Sequence, residues 1–442
     1  MSGLTVMIVG SGAREHAISC AYEKSSQVER IIVTPGNDFI AFNREKEVIV
    51  DPACNLTLPQ TIFQQAKKHN VDLVDVAQDD PIAAGTVDFL LSKGIDAFGP
   101  EKEPARIESD KKWARDFMER HEIPSPGFKY FDDNMEAKAY VRNLFDLKKD
   151  RVLYVKASGL CSGKGALKAT SINEAVAAID KMHDFGKAGK VFLVEEGLVG
   201  EEFSYYAVTD GENFKVFRSA QDNKTVFNFD QGDQTGGMGV VSPSLAAEPL
   251  KKDIHYHMLS KMISGMAKDG LAYTGIIYVG GIIVNGSPVN IEYNARWGDP
   301  ECQAVLTGVQ TDYVDIVRAS LEQNIESITI EQDEKTRVCV VGASRGYPGD
   351  YSNVKGKRIF GLIEAMNMPG VKIFGAGIKF DSGKFYANGG RLFSVVGEGN
   401  DVAEARERAY AAISHISIEG NNLHYRTDIG WRDVERFRSK QA

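Results

Sequence analysis

Residues Ile291 to Glu301, Ile-Glu-Tyr-Asn-Ala-Arg-Trp-Gly-Asp-Pro-Glu, hold the densest chemistry in the chain. Glu292 and Asn294 are two apart in a stretch with the composition of a strand, so their side chains share one face while Ile291 and Tyr293 take the other. A carboxylate and an amide oxygen side by side make a hard-oxygen site suited to Mg²⁺ that phosphates already hold. Arg296 follows on a loop, where its planar fork suits a carboxylate or a phosphate. The same pattern fits an amphipathic hairpin with a polar outer face, and Glu-x-Asn alone does not separate the two readings.

Three other stretches carry chemistry of a related kind. Lys156-Ala-Ser-Gly-Leu-Cys-Ser-Gly-Lys-Gly165 is a strand-ending lysine followed by a glycine-rich loop; glycines bring N–H groups close to phosphate oxygens, and Lys156 and Lys164 add positive charge. It lacks the Walker spacing, so a phosphate loop and a mobile hairpin both fit. Leu193-Val-Glu-Glu-Gly-Leu198 is an apolar strand ending in Glu195 and Glu196, which suits ribose hydroxyls or a plain surface turn. Asp222 lies in the polar loop Ser219 to Lys224, where a carboxylate can orient a cationic amine, and Gly236-Gly237 nearby can present main-chain amides to an anion.

These residues need rigid supports. The Asn285-Gly286 pair is a tight-turn signal between Gly275–Val284 and the strand of Glu292, which predicts a β-hairpin. Residues 1–108 alternate strands and helices: Leu4–Val9, a helix from Arg14, then strands at Arg30–Thr34, Leu73–Ala77 and Ala97–Phe98. That order predicts a doubly wound parallel sheet with its ligand edge at the strands' carboxyl ends. Gly10-Ser-Gly12 opens like a dinucleotide fingerprint, but Glu15 stands where the third glycine belongs, so a nicotinamide or flavin site is not expected. The helix after it can still hold an anion such as a sugar phosphate. A central unit at 109–335 begins with a helix from Asp110 to His121. A third unit at 336–442 opens with the strand Arg337–Val341 and is rich in glycine.

The chain of 442 residues is long enough for roughly three domains, and 43% hydrophobic with 26% charged residues is ordinary for a globular protein. A net charge of -9 argues against nucleic acid as a partner while leaving room for a locally basic pocket for small anions. No apolar run reaches the roughly 20 residues of a membrane span. The first residues form a strand rather than a signal peptide, and the five scattered cysteines suit a reducing compartment, so a cytoplasmic location is expected.

Taken together, the motifs resemble the ATP-grasp superfamily and, within it, the glycinamide ribonucleotide synthetase family of phosphoribosylamine–glycine ligases. The resemblance runs nearly end to end. It rests on Gly-Ala-Arg-Glu-His (12–16), Pro-Gly-Asn (35–37), Gly-Leu-Cys-Ser-Gly-Lys-Gly (159–165), Gln-Asp-x-Lys (221–224), Thr-Gly-Gly-Met-Gly (235–239), Asn-x-Arg-x-Gly-Asp-Pro-Glu (294–301), Gly-Tyr-Pro-Gly (346–349) and Asn-Gly-Gly-Arg (388–391), all in the family's order.

The resemblance implies a multidomain α/β and α+β fold: an N-terminal parallel sheet, a central ATP-grasp domain and a small mixed C-terminal domain. It implies a ligase of purine biosynthesis that joins glycine to 5-phosphoribosylamine through an acyl phosphate, with ATP and Mg²⁺ or Mn²⁺, acting as a monomer or weak homodimer. It implies Glu292 and Asn294 as metal ligands. Lys111, Lys156, Gly163, Lys164, Gly165, Glu195, Glu196, Leu198 and Glu202 would surround the nucleotide, with the backbone of Gly197 and Leu198 beside Glu195 at adenosine. Arg296 and Asp222 would be catalytic groups near glycine and the amine, with Gly236 and Gly237 beside them. Gly12, Arg14 and Asn37 would face the sugar phosphate, and Arg391 would close the cleft from the third domain.

The chain departs from the family pattern at Ser158, Asn223, Ala77-Gln-Asp79, Gly375 and Trp297. These positions are expected mostly around the acceptor. They leave open a diverged ligase with another acceptor, or a nucleotide-binding paralogue without catalysis.

Overall fold

The computed structural model describes residues 3–161 and 164–441. Its N-terminal part is a five-stranded, wholly parallel sheet of β1 (Leu4–Gly10), β2 (Val28–Pro35), β3 (Glu47–Val50), β4 (Leu73–Val76) and β5 (Asp96–Phe98) in the order β3-β2-β1-β4-β5. Val6, Met7, Ile8 and Val9 of β1 are all fully buried, as expected for a central strand covered on both faces. The strand order reverses between β1 and β4, so their carboxyl ends open a crevice where this class of sheet binds ligands. Gly10–Gly12 and Gln78–Asp79 rim that crevice.

Helix α1 (Ala13–Lys24) begins at the end of β1. Glu15 turns back so that its carboxylate accepts from the Gly12 N–H at 2.5 Å. A Cβ on Gly10 would fall 2.6 Å from the Glu15 side chain. Glu15 therefore fills the space over the turn that a dinucleotide pyrophosphate needs, and its carboxylate already holds the Gly12 N–H that the sequence offered to an anion.

The central region builds two antiparallel four-stranded sheets. One joins Phe128–Phe131, Phe192–Glu196, Leu153–Ala157 and Ala166–Ala169; the last two pair antiparallel on either side of the glycine-rich stretch in sequence. The other joins Phe214–Val216, Glu201–Asp210, Thr274–Val284 and Ser287–Asn294. Its last two strands are the expected hairpin, turning at Asn285 and Gly286, both with positive φ.

The third sheet crosses the sequence cut at 335/336. Gln221–Asp222 and Gly239–Ser242 pair in line with Thr336–Ser344, Arg391–Gly399 and Val371–Gly375. The strand carrying Asp222 is thus hydrogen-bonded into the C-terminal region's sheet, which couples the two regions directly. Among the described residues no helix is long and apolar enough to cross a membrane, and the five cysteines are free thiols.

Candidate active site

The Ser287–Asn294 strand lays Glu292 and Asn294 along the floor of a cleft of about 540 Å³, and Arg296 continues the floor on the following loop. Helix Lys111–Arg120 points its N-terminus into the same cleft. Asp110 caps it, accepting from the Trp113 N–H at 3.1 Å, so the sequence boundary one residue earlier marks the cap and not the first turn. Lys111 lines the cleft and forms no ion pair among the described residues, which leaves a cation beside a positive helix end.

Glu292 meets the solvent that fills the cleft, yet the walls enclose it. Burial would raise its carboxyl, but Lys224, Lys156, Lys111 and Arg296 together hold it down to about 2. Lys224 Nζ is 3.7 Å from Glu292 Oε1 and 3.7 Å from Glu202 Oε2. Asn294 Oδ1 accepts from Arg296 at 3.2 Å, and its Nδ2 is buried without a partner. Two hard oxygens on one strand face fit Mg²⁺ or Mn²⁺. Among the described residues no group of three or more His, Cys, Asp or Glu gathers for a metal, so phosphate and water oxygens must complete its shell.

Arg296 is anchored to Glu108 at 2.5 Å and to the Trp297 carbonyl at 3.1 Å, while its Nε is buried and unpartnered. Asp79, from the end of β4, lines the cleft and is held below the usual carboxylate range: burial opposes ionisation, but Arg296 and Arg14 outweigh it. Asp222 shows the opposite balance. Burial and then Glu301 push its carboxyl well up, and Lys224 and Arg391 only partly offset them; its Oδ1 is buried with no partner. An arriving ammonium would supply the missing positive charge.

A second cavity of about 650 Å³ opens between the N-terminal and C-terminal regions, lined by Ser11–Ala13, Gly36–Asp38, Ala376–Lys379, Asn388 and Ser394. Ser11, Gly12, Asp299 and Arg391 line both cavities. Arg391 spans the junction, donating to the Gly236 carbonyl at 2.6 Å and the Asp299 carbonyl at 2.6 Å, with its other nitrogen 3.2 Å from Asp299 Oδ2. Asp299 stood in a sequence motif without a role; nothing local marks it, because its place comes from two cavities meeting.

Of the residues singled out from sequence, Gly12, Arg14, Lys111, Lys156, Gly165, Glu195, Glu196, Leu198, Glu202, Asp222, Gly236, Glu292, Asn294, Arg296 and Arg391 line the deep cleft. The Glu195 carboxylate is held there by Arg115 at 2.7 and 3.0 Å and by Lys156 at 2.6 Å. Several others sit differently. The Gly197 N–H is taken by the Val152 carbonyl. Lys164 is exposed and away from the cleft lining, and Gly163 lies outside the described residues. Gly237 stands behind the lining, where a Cβ would meet Pro300 at 2.5 Å and Asp222 Oδ1 at 3.0 Å.

Of the three expected sugar-phosphate contacts, Gly12 and Asn37 line the second cavity and Arg14 does not. Arg14 is buried in the deep cleft, bonded to Glu15 at 2.6 Å and to the Trp297 carbonyl at 3.1 Å, and does not line the second cavity. Asn37 does line it, but its amide nitrogen ties the Ser11 carbonyl at 2.8 Å to the Gly375 carbonyl at 3.0 Å, and its oxygen accepts from Phe39 N–H. It fastens the first region to the third.

The departures from the family pattern are mostly structural. Ser158 Oγ accepts from the Lys112 N–H and donates to Asp110, pinning the helix start. Asn223 is buried and donates to the Gly239 carbonyl. Trp297 packs on Tyr206 and Phe217 and donates to the Tyr313 hydroxyl. The Gly375 N–H donates to His16 Nδ1, and a Cβ there would lie 2.5 Å from Phe39. Of the substituted side chains only the pair Gln78–Asp79 faces the cleft, so the expectation that the changes surround the acceptor is corrected.

Residues 4–108, 109–302 and 337–432 match the N domain, the ATP-grasp (A) domain and the C domain of phosphoribosylglycinamide synthetase. The chain is 36% identical over 432 residues to a phosphoribosylamine–glycine ligase of Caldanaerobacter subterraneus, covering 96% of this chain and 99% of that one. It is 36% identical over 442 residues to the Escherichia coli protein of the same name, covering 98% and 99%. The crystal structure of phosphoribosylamine–glycine ligase from Thermotoga maritima superposes with a TM-score of 0.79 at 29% identity, over 96% of this chain and all of that one.

Proposed function

Because this chain belongs to the phosphoribosylglycinamide synthetase family, we propose that its two adjoining cavities divide one ligation between them. The protein is an ATP-dependent ligase that joins glycine to 5-phosphoribosylamine, giving glycinamide ribonucleotide, ADP and phosphate in purine biosynthesis. The deep cleft takes ATP and glycine; the second cavity takes the sugar phosphate.

A carboxylate is a poor electrophile, so glycine's is first phosphorylated by the γ-phosphate, and the amine then displaces phosphate from the acyl carbon. The transfer depends on alignment and on neutralising charge more than on acid–base help. Lys111 and Lys156 meet phosphate oxygens, Arg296 holds the glycine carboxylate in line, and Asp222 receives the glycine ammonium. Glu292 and Asn294 would hold a divalent ion that draws charge from the terminal phosphates.

The observation that carries this reading is the meeting of Lys111, Glu292, Asn294 and Arg296 in one cleft that abuts a second cavity at Gly12, Asp299 and Arg391. The acceptor alternative has Gln78–Asp79 alone to act through. A monomer or weak homodimer is the expected state, which sedimentation would report. Free cysteines suit a cytoplasmic enzyme.

Incubation with ATP, Mg²⁺, glycine and phosphoribosylamine tests the assignment. ADP release is expected to require both co-substrates; release independent of either would refute it. Gly12→Ala probes the shared wall. Its backbone is extended, so the substitution brings no strain, but the methyl would lie 3.0 Å from Glu15 Oε2 and 3.2 Å from Asp299 Oδ2. The expected result is a KM for the amine raised roughly tenfold with kcat little changed. An unaltered KM in steady-state assays would separate this turn from the acceptor.

A further inference from the structure

The wall between the two cavities holds a carboxylate, Asp299, that lines both. On the functional reading just given, the acyl phosphate forms on one side and the amine arrives from the other, so the C–N bond forms at the wall. We propose that Asp299 accepts the proton that the amine loses as it attacks. Among the described residues it is the one carboxylate that lines both the deep cleft and the partition between the cavities while keeping an open edge toward each.

Its geometry is fixed from three sides. Gln303, fully buried on the next helix, donates from Nε2 to Oδ1 at 2.6 Å. Arg391 stands 3.2 Å from Oδ2 and also holds the Asp299 carbonyl at 2.6 Å. The absent side chain of Gly12 lets Oδ2 lie against the turn at the end of β1. The side chain stays 17% accessible, enough for an incoming nitrogen to reach it.

Of the neighbouring carboxylates, Asp79 and Asp222 line the deep cleft but not the second cavity, and the others are already bound. Glu15 is 2% accessible and tied to Arg14 and the Gly12 N–H; Glu301 is equally buried and accepts from Ser204. Glu108 is bound to Arg296.

The step balances without a further reagent. The nitrogen lone pair forms the bond to the acyl carbon, the bond from that carbon to the phosphate oxygen breaks, and phosphate leaves with the electron pair. The nitrogen, now cationic, gives one proton to Asp299 Oδ2, which passes it to water. An ammonium on a tetrahedral carbon is acidic enough for a carboxylate to deprotonate, and a positioned base contributes on the order of 10²–10⁴-fold.

Hydroxylamine separates this role from the rest of the reaction, because it is already neutral at pH 7, is small, and attacks acyl phosphates unaided. The wild type should form glycyl hydroxamate from ATP, glycine and hydroxylamine. Asp299→Asn should keep that rate within about threefold, while ligation of phosphoribosylamine generated in the assay falls roughly 10²–10³-fold. Ligation preserved in the variant, or an equal loss in both reactions, overturns the role. Failure of the wild type to make hydroxamate instead removes the acyl phosphate and with it the basis of the proposal. If Asp299→Asn does not accumulate folded, Asp299→Glu takes its place: ligation should fall more than hydroxamate formation, and an equal fall refutes the role.

Discussion

Glu292→Gln is expected to lower kcat for ligation by roughly two to three orders of magnitude, the loss typical of removing one preorganised charge from a transferring group. Glutamine keeps the shape and a ligating oxygen but loses the negative charge that balances Lys224, 3.7 Å away, and that would draw a divalent ion against the phosphates. The protein should fold normally, since the side chain meets solvent in the cleft and supports no core contact. Its carboxyl is held at about 2, by charges that outweigh burial, so it is ionised throughout the working pH range. An acid limb in the wild-type pH–rate profile must therefore come from another group. Measuring ADP release against Mg²⁺ concentration decides the matter. A variant that reaches wild-type kcat at saturating Mg²⁺ would show that the charge is dispensable once the ion is bound.

Glu195→Ala is expected to cost about 3–5 kcal/mol of stability, the range for removing one partner of a buried ion pair. Glu195 and Arg115 are only 2% and 3% accessible, and Lys156 joins them with 9%. Without the carboxylate, two cations remain in a wall that water barely reaches, and Arg115 retains only the Ile291 carbonyl and a weak sulfur contact. Adding Arg115→Met should recover part of the loss, because the pair's own net contribution is small compared with the penalty of orphaning one member. Urea unfolding of the single and double variants checks this; a single variant as stable as wild type would show that solvent reaches the cations. The pH dependence has a definite sign. Burial pushes the Glu195 carboxyl up, but Arg115 and Lys156 win and bring it from 4.5 to about 2. Its stabilisation is therefore complete above the unfolded value and lost as pH falls from 4.5 toward about 2. The wild type should lose stability over that window more steeply than the double variant.

The hairpin of Glu292 was legible because everything that makes it is local. Alternating side chains set the faces, Asn285-Gly286 sets the turn, and both act within a few residues. The parallel first sheet followed from the order of apolar strands and helices for the same reason. Glu195 lines the cleft as expected, but the grip of Arg115 on its carboxylate was not legible, because that partner lies 80 residues away in sequence. Asn37 lines the second cavity as expected, but its tie to Gly375 was not legible, because that partner lies 338 residues away. Arg14 sits at the expected turn, yet the Trp297 carbonyl draws its side chain into the other cavity.

Sequence by itself determined the strand, loop and helix chemistry and the order of the motifs, hence the family, the reaction and the floor of the deep cleft. Tertiary structure alone decided which polar groups remain free for substrates and which are consumed in holding the regions together, and it alone brought Asp299 to the boundary of two cavities. The physical reason is range. Backbone periodicity and turn preference act over a few residues, whereas a buried charge or amide must find its partner wherever the fold supplies one, and that partner's distance along the chain is invisible until the chain is packed.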